Sequence, residues 1–301
     1  MTATATIRVG TRASRLAMAQ TEIAISVMAA SLPAPIEMVP MTTRGDALSA
    51  RRPRGGWAQS DGQFTRELER ALLAGRLDVV VHSFKDLPTA RVTGLRIGAV
   101  LERGDPRDCF FTVDGRGIEE MPFGGRVATS SPRRAAQLAA VRSDLVCMPT
   151  RGNVESRLQR LDAGEFDAVI LAAAGIDRLD LSTRSHVRLP LDVMLPAPAQ
   201  GALAIQIRAD DSELGAHLAE VDHAPTRIAV EAERSLLRAV GGGCLAPLGA
   251  LAEVNDRTLA LQAVLEQSTG ELVRAEAVGS LDQAESLVED IAQRLTAVVE
   301  R

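Results

Sequence analysis

The 301-residue chain is 46% hydrophobic and 24% charged, ordinary for a globular protein but too long for one core, so two or three domains are expected. A net charge of -5 excludes whole-surface attraction to nucleic acid or anionic membrane, and 2% aromatics without Tyr leave little for base stacking. No stretch approaches the ~18 apolar residues of a membrane span, and Met1 to Thr6 has neither a basic n-region nor an apolar h-region, so a cytoplasmic location is expected.

Short apolar runs alternate with helical patterns through the first two-thirds of the chain. Strands are predicted at 7–10, 36–40, 78–82 and 95–101, with helices at 16–30 and 64–74. The polar stretch 102–108 reads as a crossing between domains. A second series follows, with strands at 126–129, 145–148 and 168–172 and helices at 132–140 and 154–163. Pro196 and Pro198 mark a second crossing at 195–200, after which 201–208 resumes as a strand. This alternation implies parallel sheets covered on both faces, with a cleft between two units. The character then changes: a helix at 226–240, strands at 258–265 and 272–278, and a helix at 281–299 form a small α+β unit. No internal repeat is evident in the sequence.

Cys109, Cys147 and Cys244 are an odd, widely spaced set, and the four histidines are scattered, so neither a disulfide framework nor a metal site is expected. His82 reads as a core histidine, and Cys109 and Cys147 as buried hydrophobes.

Three predicted helix starts carry arginine where the helix dipole favours acids. They are Thr11-Arg12-Ala13-Ser14-Arg15, Ser130-Ser131-Pro132-Arg133-Arg134, and Arg151-Gly152-Asn153 with Arg157 one turn further on. Ser131 and Asn153 fit N-caps, and Pro132 fits the first helical position. Each cation there costs roughly a few tenths of a kcal/mol unless an anion arrives. Of the 34 basic residues only Lys85 is a lysine, so a preference for arginine codons is the plainer source of any single arginine. Three βα turns together point to a ligand with several negative groups. Phosphate is an alternative to carboxylate, although no P-loop or dinucleotide fingerprint is present.

The buried strand at 78–82 runs directly into Ser83-Phe84-Lys85-Asp86-Leu87-Pro88. Asp86 thus sits at a strand's carboxyl end beside the sole lysine. It is placed either to cap a turn or to move a proton and stabilise a cation. Lys85 supplies a compact ammonium rather than a planar guanidinium. Cys244 follows three glycines and is approachable as a nucleophile or an attachment point.

At these motifs the chain resembles the porphobilinogen deaminase (hydroxymethylbilane synthase) family. The resemblance rests on Thr11-Arg12-Ala13-Ser14, Thr43-Arg44-Gly45-Asp46, His82 to Pro88, Thr129 to Arg134, Arg151-Gly152-Asn153, Gln200-Gly201-Ala202, and Gly242-Gly243-Cys244 with Pro247. It implies an α/β fold of two periplasmic-binding-protein-like domains about a central cleft, plus a small α+β C-terminal domain. On the chain these are residues 1–101 with 199–220, then 102–198, then 221–301. It implies a monomeric cytoplasmic transferase that joins four porphobilinogen molecules head to tail, releasing ammonia, to give hydroxymethylbilane in tetrapyrrole synthesis. No nucleic acid, membrane or metal is implied.

The resemblance further implies a dipyrromethane cofactor, held by a thioether to Cys244 and contacted by Ser83, Lys85, Asp86, Ser130, Ser131, Arg133, Arg134, Arg151 and Gly152. Asp86 would stabilise the cation left when ammonia departs, with Lys85 beside it. Arg12, Ser14, Arg151, Arg157, Arg178 and Gln200 would hold substrate. Two departures stand out: Ser60-Asp61-Gly62-Gln63 replaces a glycine- and lysine-containing run, and Gly241 stands where a glutamate is frequent. The rival readings are a non-enzymatic binding protein for a polycarboxylate, which has no use for Cys244, and a thiol-dependent transferase acting on another polycarboxylate, which needs a partner to activate Cys244 although no histidine is near it in sequence.

Overall fold

In the computed structural model, residues 6–42, 65–243 and 246–297 are described. The first part of the chain gives β1 (Ile7–Arg12), α1 (Arg15–Met28), β2 (Ile36–Met41), α2 (Arg66–Leu73), β3 (Val79–Ser83) and β4 (Leu95–Val100). A second group follows: β5 (Asp108–Thr112), β6 (Arg126–Ala128), α3 (Pro132–Val141), β7 (Val146–Met148), α4 (Val154–Asp162), β8 (Ala168–Ala172), α5 (Ala173–Arg178) and β9 (Val187–Arg188). The chain then returns as β10 (Leu203–Arg208) and α6 (Ser212–Ala219). It ends with α7 (Ala224–Ala239), β11 (Leu248–Asn255), β12 (Thr258–Glu266), β13 (Leu272–Ser280) and α8 (Ala284–Thr296).

The strands form two five-stranded sheets, ordered β2-β1-β3-β10-β4 and β7-β6-β8-β5-β9, and a three-stranded sheet β11-β12-β13. The period of two decides how the large sheets are buried. On β3, Val79 and Val81 face Val9, Ala24 and Met28, while Val80 faces Leu68 and Leu72 on the other side. On β5, Cys109 and Phe111 pack toward Leu158 and Phe166, whereas Phe110 packs toward Leu138 and Met194. Both faces are therefore apolar, as the unbroken hydrophobic runs require. In the third sheet, Leu259, Leu261 and Ala263 meet Leu236 of α7 and Ile291 of α8.

The large sheets are mixed, which corrects the all-parallel expectation. β10 runs antiparallel to β3 and β4, and β5 runs antiparallel to β8 and β9. The cause is the double crossing. Leu203 opens β10 opposite Ser83, the last residue of β3, and Asp108 opens β5 opposite Ala172, the last residue of β8. Each crossing enters its new sheet at the end where the parallel strands finish, so it can only run against them. Asp108, read as crossing, is thereby the first residue of a buried strand. β5, β9, β11, α5 and α6 were not predicted.

The crossings are pressed together. A Cβ on Gly201 would stand 2.5 Å from the Gly104 carbonyl oxygen, and Gly201 has φ +91°, so this position admits only glycine. Fully buried Glu233 of α7 accepts from Arg103 Nη1 (2.6 Å) and Nη2 (3.1 Å) in the first crossing, and from the Ala199 amide (2.6 Å) in the second. It also accepts from the Ala252 amide at 2.8 Å, so one carboxylate joins the third unit to both crossings. Among the described residues, no helix is long and apolar enough to cross a membrane.

Candidate active site

The buried strand β3 ends in a single 3-10 turn, Phe84–Asp86, which carries Lys85 and Asp86 into the space between the two large sheets. Asp86 lines a hollow with Arg12, Ser14, Gln20, His82 and Ser83. Ser83 Oγ donates to Gln20 Oε1 at 2.9 Å. His82 is not a free base: it lies 6% exposed with Nε2 3.0 Å from Gln206 Oε1, and burial lowers its pKa to about 4 despite that bond. It is the satisfied core histidine expected.

Lys85 begins a chain of contacts that crosses the cleft. Its Nζ donates to Gln200 Oε1 at 3.1 Å. Gln200 Nε2 donates onward to Asp108 Oδ1 at 2.9 Å and to the Pro106 carbonyl at 2.7 Å. Asp108 in turn faces Arg134 Nη2 at 2.7 Å and Arg133 Nη2 at 2.9 Å. Burial lowers the Lys85 ammonium to about 8; nearby Asp86 works against that and Arg134 adds to it. Burial would raise the Asp108 carboxyl, but Arg133 and Arg134 outweigh it and hold the group below the ordinary carboxylate range.

The pair Arg133 and Arg134 sits in the first turn of α3, where Ser131 Oγ accepts from the Arg134 amide and Pro132 occupies the start, as read from sequence. Both are buried, at 3% and 7% exposure. Arg133 Nη1 also donates to the Leu195 carbonyl at 2.5 Å and Arg134 Nη1 to the Ile170 carbonyl at 2.9 Å. The anion inferred for this helix start is thus partly supplied by the protein itself, through Asp108, which the sequence reading missed. One carboxylate does not balance two guanidiniums. Nε of each arginine is buried without a hydrogen-bond acceptor among the described residues.

The other expected residues divide. Ser14 and Asn153 cap α1 and α4, accepting from the Ala17 and Ser156 amides. Arg15, at the start of α1, reaches Glu155 in the first turn of α4 at 3.6 Å, joining an exposed arginine to a partly buried glutamate across the two units. Ser130 Oγ ties the ends of β6 and β7 by donating to the Thr150 carbonyl at 2.5 Å and accepting from its amide at 2.8 Å. Arg151 and Gly152 form the turn between β7 and α4; the Gly152 carbonyl accepts from Arg157 Nε at 3.0 Å. Burial, with Arg134 and Arg160 nearby, lowers Arg157 to about 10. Arg178 ends α5 and donates from Nη2 to the Gly201 carbonyl at 2.5 Å, and lines a separate hollow at the crossings with Arg103 and Gly104. Burial lowers it to about 10 as well.

Cys244 lies outside the described residues, as do Arg44 to Asp46 and Ser60 to Gln63. The first of the three glycines that precede it ends a helix: α7 stops at Ala239 and Gly241 takes φ +70°, the left-handed conformation that terminates helices. Arg234 is a further residue missed in the sequence. It lies on α7 and grips the segment bearing Lys85 and Asp86.

A cleft between two α/β units, with a carboxylate and a lysine on one wall and buried arginines on the other, defines a class of two-unit α/β protein with charged groups facing one another across the cleft. The sequence comparisons agree with that class. Residues 7–216 match the model of the porphobilinogen deaminase dipyromethane cofactor binding domain, and residues 227–297 match the porphobilinogen deaminase C-terminal domain. A porphobilinogen deaminase of Desulforudis audaxviator is 47% identical over 290 residues, covering 95% of this chain and 93% of that protein. Another, of Acidothermus cellulolyticus, is 47% identical over 297 residues, covering 97% and 87%. Among solved structures, the periplasmic aliphatic sulphonate binding protein SsuA of Escherichia coli is 15% identical, with a TM-score of 0.42 over 78% of this chain and 70% of that one. The chain belongs to the porphobilinogen deaminase family.

Proposed function

We propose that this chain is a transferase that joins four porphobilinogen molecules head to tail, with loss of ammonia, to give hydroxymethylbilane for tetrapyrrole synthesis. The observation that carries this reading is the pairing of Asp86, at the carboxyl end of β3, with the surplus positive charge of Arg133 and Arg134 across the cleft. Family membership favours this enzymatic reading over a polycarboxylate binding protein. Action as a monomer in the cytoplasm belongs to the same proposal, as do units at 1–101 with 199–220, 102–198 and 221–301.

The site suits the family's cofactor. A dipyrromethane carries carboxylates, and the unpartnered Nε atoms of Arg133 and Arg134 are donors without acceptors. Arg133, Arg134, Arg151, Gly152, Ser83, Ser130 and Ser131 would hold it, with its thioether on Cys244. When bound, it supplies the pyrrole carbon on which the chain is extended.

The rest is done by the protein's own groups. Arg12, Arg157 and Arg178 bind acetate and propionate groups of the substrate by two-pronged hydrogen bonds, aided by Ser14 and Gln200. Asp86 accepts from the pyrrole N–H and stabilises the positive charge that develops as ammonia leaves the aminomethyl carbon. Lys85, fixed by Gln200, stands beside Asp86 and helps ammonia leave by placing a proton within reach. Carboxylates bound by buried guanidiniums lose little to solvent screening.

The test is the intact mass of the acid-denatured protein. The chain alone weighs 31.9 kDa. The expected result is an excess equal to two linked pyrroles, absent from Cys244→Ala and gained by apo-protein on incubation with porphobilinogen. A chain that keeps its bare mass after that incubation is not this enzyme.

A further inference from the structure

The turn that presents Asp86 is weak by itself. It is one 3-10 turn, closed by the Leu87 amide bonding to the Phe84 carbonyl at 3.2 Å, and Ser83 makes no side-chain cap. Short 3-10 turns have poor hydrogen-bond geometry and do not hold their place unaided. The support comes from another part of the chain. Arg234 Nη1 donates to the Phe84 carbonyl at 3.2 Å and the Leu87 carbonyl at 2.8 Å, and Nη2 donates to the Pro88 carbonyl at 2.8 Å. Its guanidinium lies 4.5 Å over the Phe84 ring and is 8% exposed. These bonds bracket Lys85 and Asp86 from both sides. Arg234 is absent from the lining of the Asp86 hollow, so it acts on the turn from behind.

The same helix leads to the cofactor cysteine. From Arg234, α7 continues to Ala239 and the chain turns at Gly241, three residues before Cys244 in the sequence. The helix that grips the turn carrying Asp86 therefore also precedes, in sequence, the proposed attachment point. The reaction requires Asp86 within hydrogen-bond reach of a pyrrole whose position is set from Cys244. A displacement of about 1 Å between such groups costs about a hundredfold in rate. A planar fork suits several carbonyls in one fixed geometry, whereas the point charge of a lysine does not.

We propose that Arg234 is a positioning residue that holds the turn bearing Asp86 in the geometry the reaction uses. This rests on the function proposed above. The test uses the full-length, cofactor-loaded protein, with loading measured by intact mass and rates expressed per loaded molecule. Arg234→Met is expected to lower kcat about tenfold to a hundredfold with KM changed by less than roughly threefold. Arg234→Lys should recover only part of that loss. In an Asp86→Asn background the same Arg234→Met change should cost almost nothing more, because the two residues act as one unit.

A structural role alone predicts a lower Tm with unchanged kcat per loaded molecule, or a loss that persists in full in Asp86→Asn; either result overturns the proposal. Should Arg234→Met fail to load or fold, Arg234→Lys carries the same comparison. An inactive wild-type protein would defeat the functional reading itself, whereas an active wild type with unaffected variants defeats only the role of Arg234.

Discussion

The two walls of the cleft are built on the same scaffold and present different charged groups. In both large sheets the strand second in the order, β1 or β6, is followed by a helix capped by a serine, and each sheet receives one antiparallel strand from a crossing, β10 or β5. They part after the strand that stands third in each order, β3 or β8. In one unit β3 ends in the 3-10 turn that carries Lys85 and Asp86; in the other, β8 runs into α5, which ends with Arg178. They also differ in how charge is held. Asp86 opens onto a hollow, while Arg133 and Arg134 are buried and anchored by Asp108. In the proposed function, equivalent strand ends divide the labour, one wall for chemistry and the other for grip.

The division breaks most plainly at Asp86. Asp86→Asn is expected to lower kcat by about a hundredfold to ten-thousandfold while KM changes little, measured by hydroxymethylbilane formation. A loss confined to KM would show that Asp86 belongs to the gripping function. Next in size is Asp108→Asn. It leaves two buried guanidiniums uncompensated and should cost about 3–5 kcal/mol, a fall in Tm on the order of 10 °C by thermal unfolding. A fall no larger than that of Asp86→Asn would mean the two walls hold charge in the same way.

The smallest expected effect sharpens the role of Lys85, which links the walls. Burial brings its pKa from 10.5 to about 8, so it is charged below pH 8 and neutral above. kcat/KM should fall above about pH 8, and Lys85→Arg should remove that limb from the accessible range. The folding consequence has the opposite sense. Between pH 8 and 10.5 the unfolded chain keeps a proton that the folded chain has lost, so this group makes stability rise with pH across that window.

Much of this was legible in the residues alone. The apolar runs of β1, β3, β8 and β10, the Ser131-Pro132 start of α3 and the Asn153 cap of α4 are local signals, because they depend on period and on bonds three residues long. Lys85 and Asp86 were legible because a buried strand runs straight into them. β5 was missed because its first residue, Asp108, looks like crossing until its arginine partners are known. Nothing near Arg234 in sequence marks it, since its partners lie about 150 residues away.

By itself, then, the sequence determined most of the strands and helices, which strand ends carry arginine or acid, and the family those motifs belong to. Only the tertiary structure decided that β5 and β10 run antiparallel, that Asp108 serves Arg133 and Arg134, and that α7 holds the Asp86 turn. The physical reason is one of range. Periodicity and capping act within a turn or two of the chain, whereas a buried charge must find its partner wherever the fold brings one.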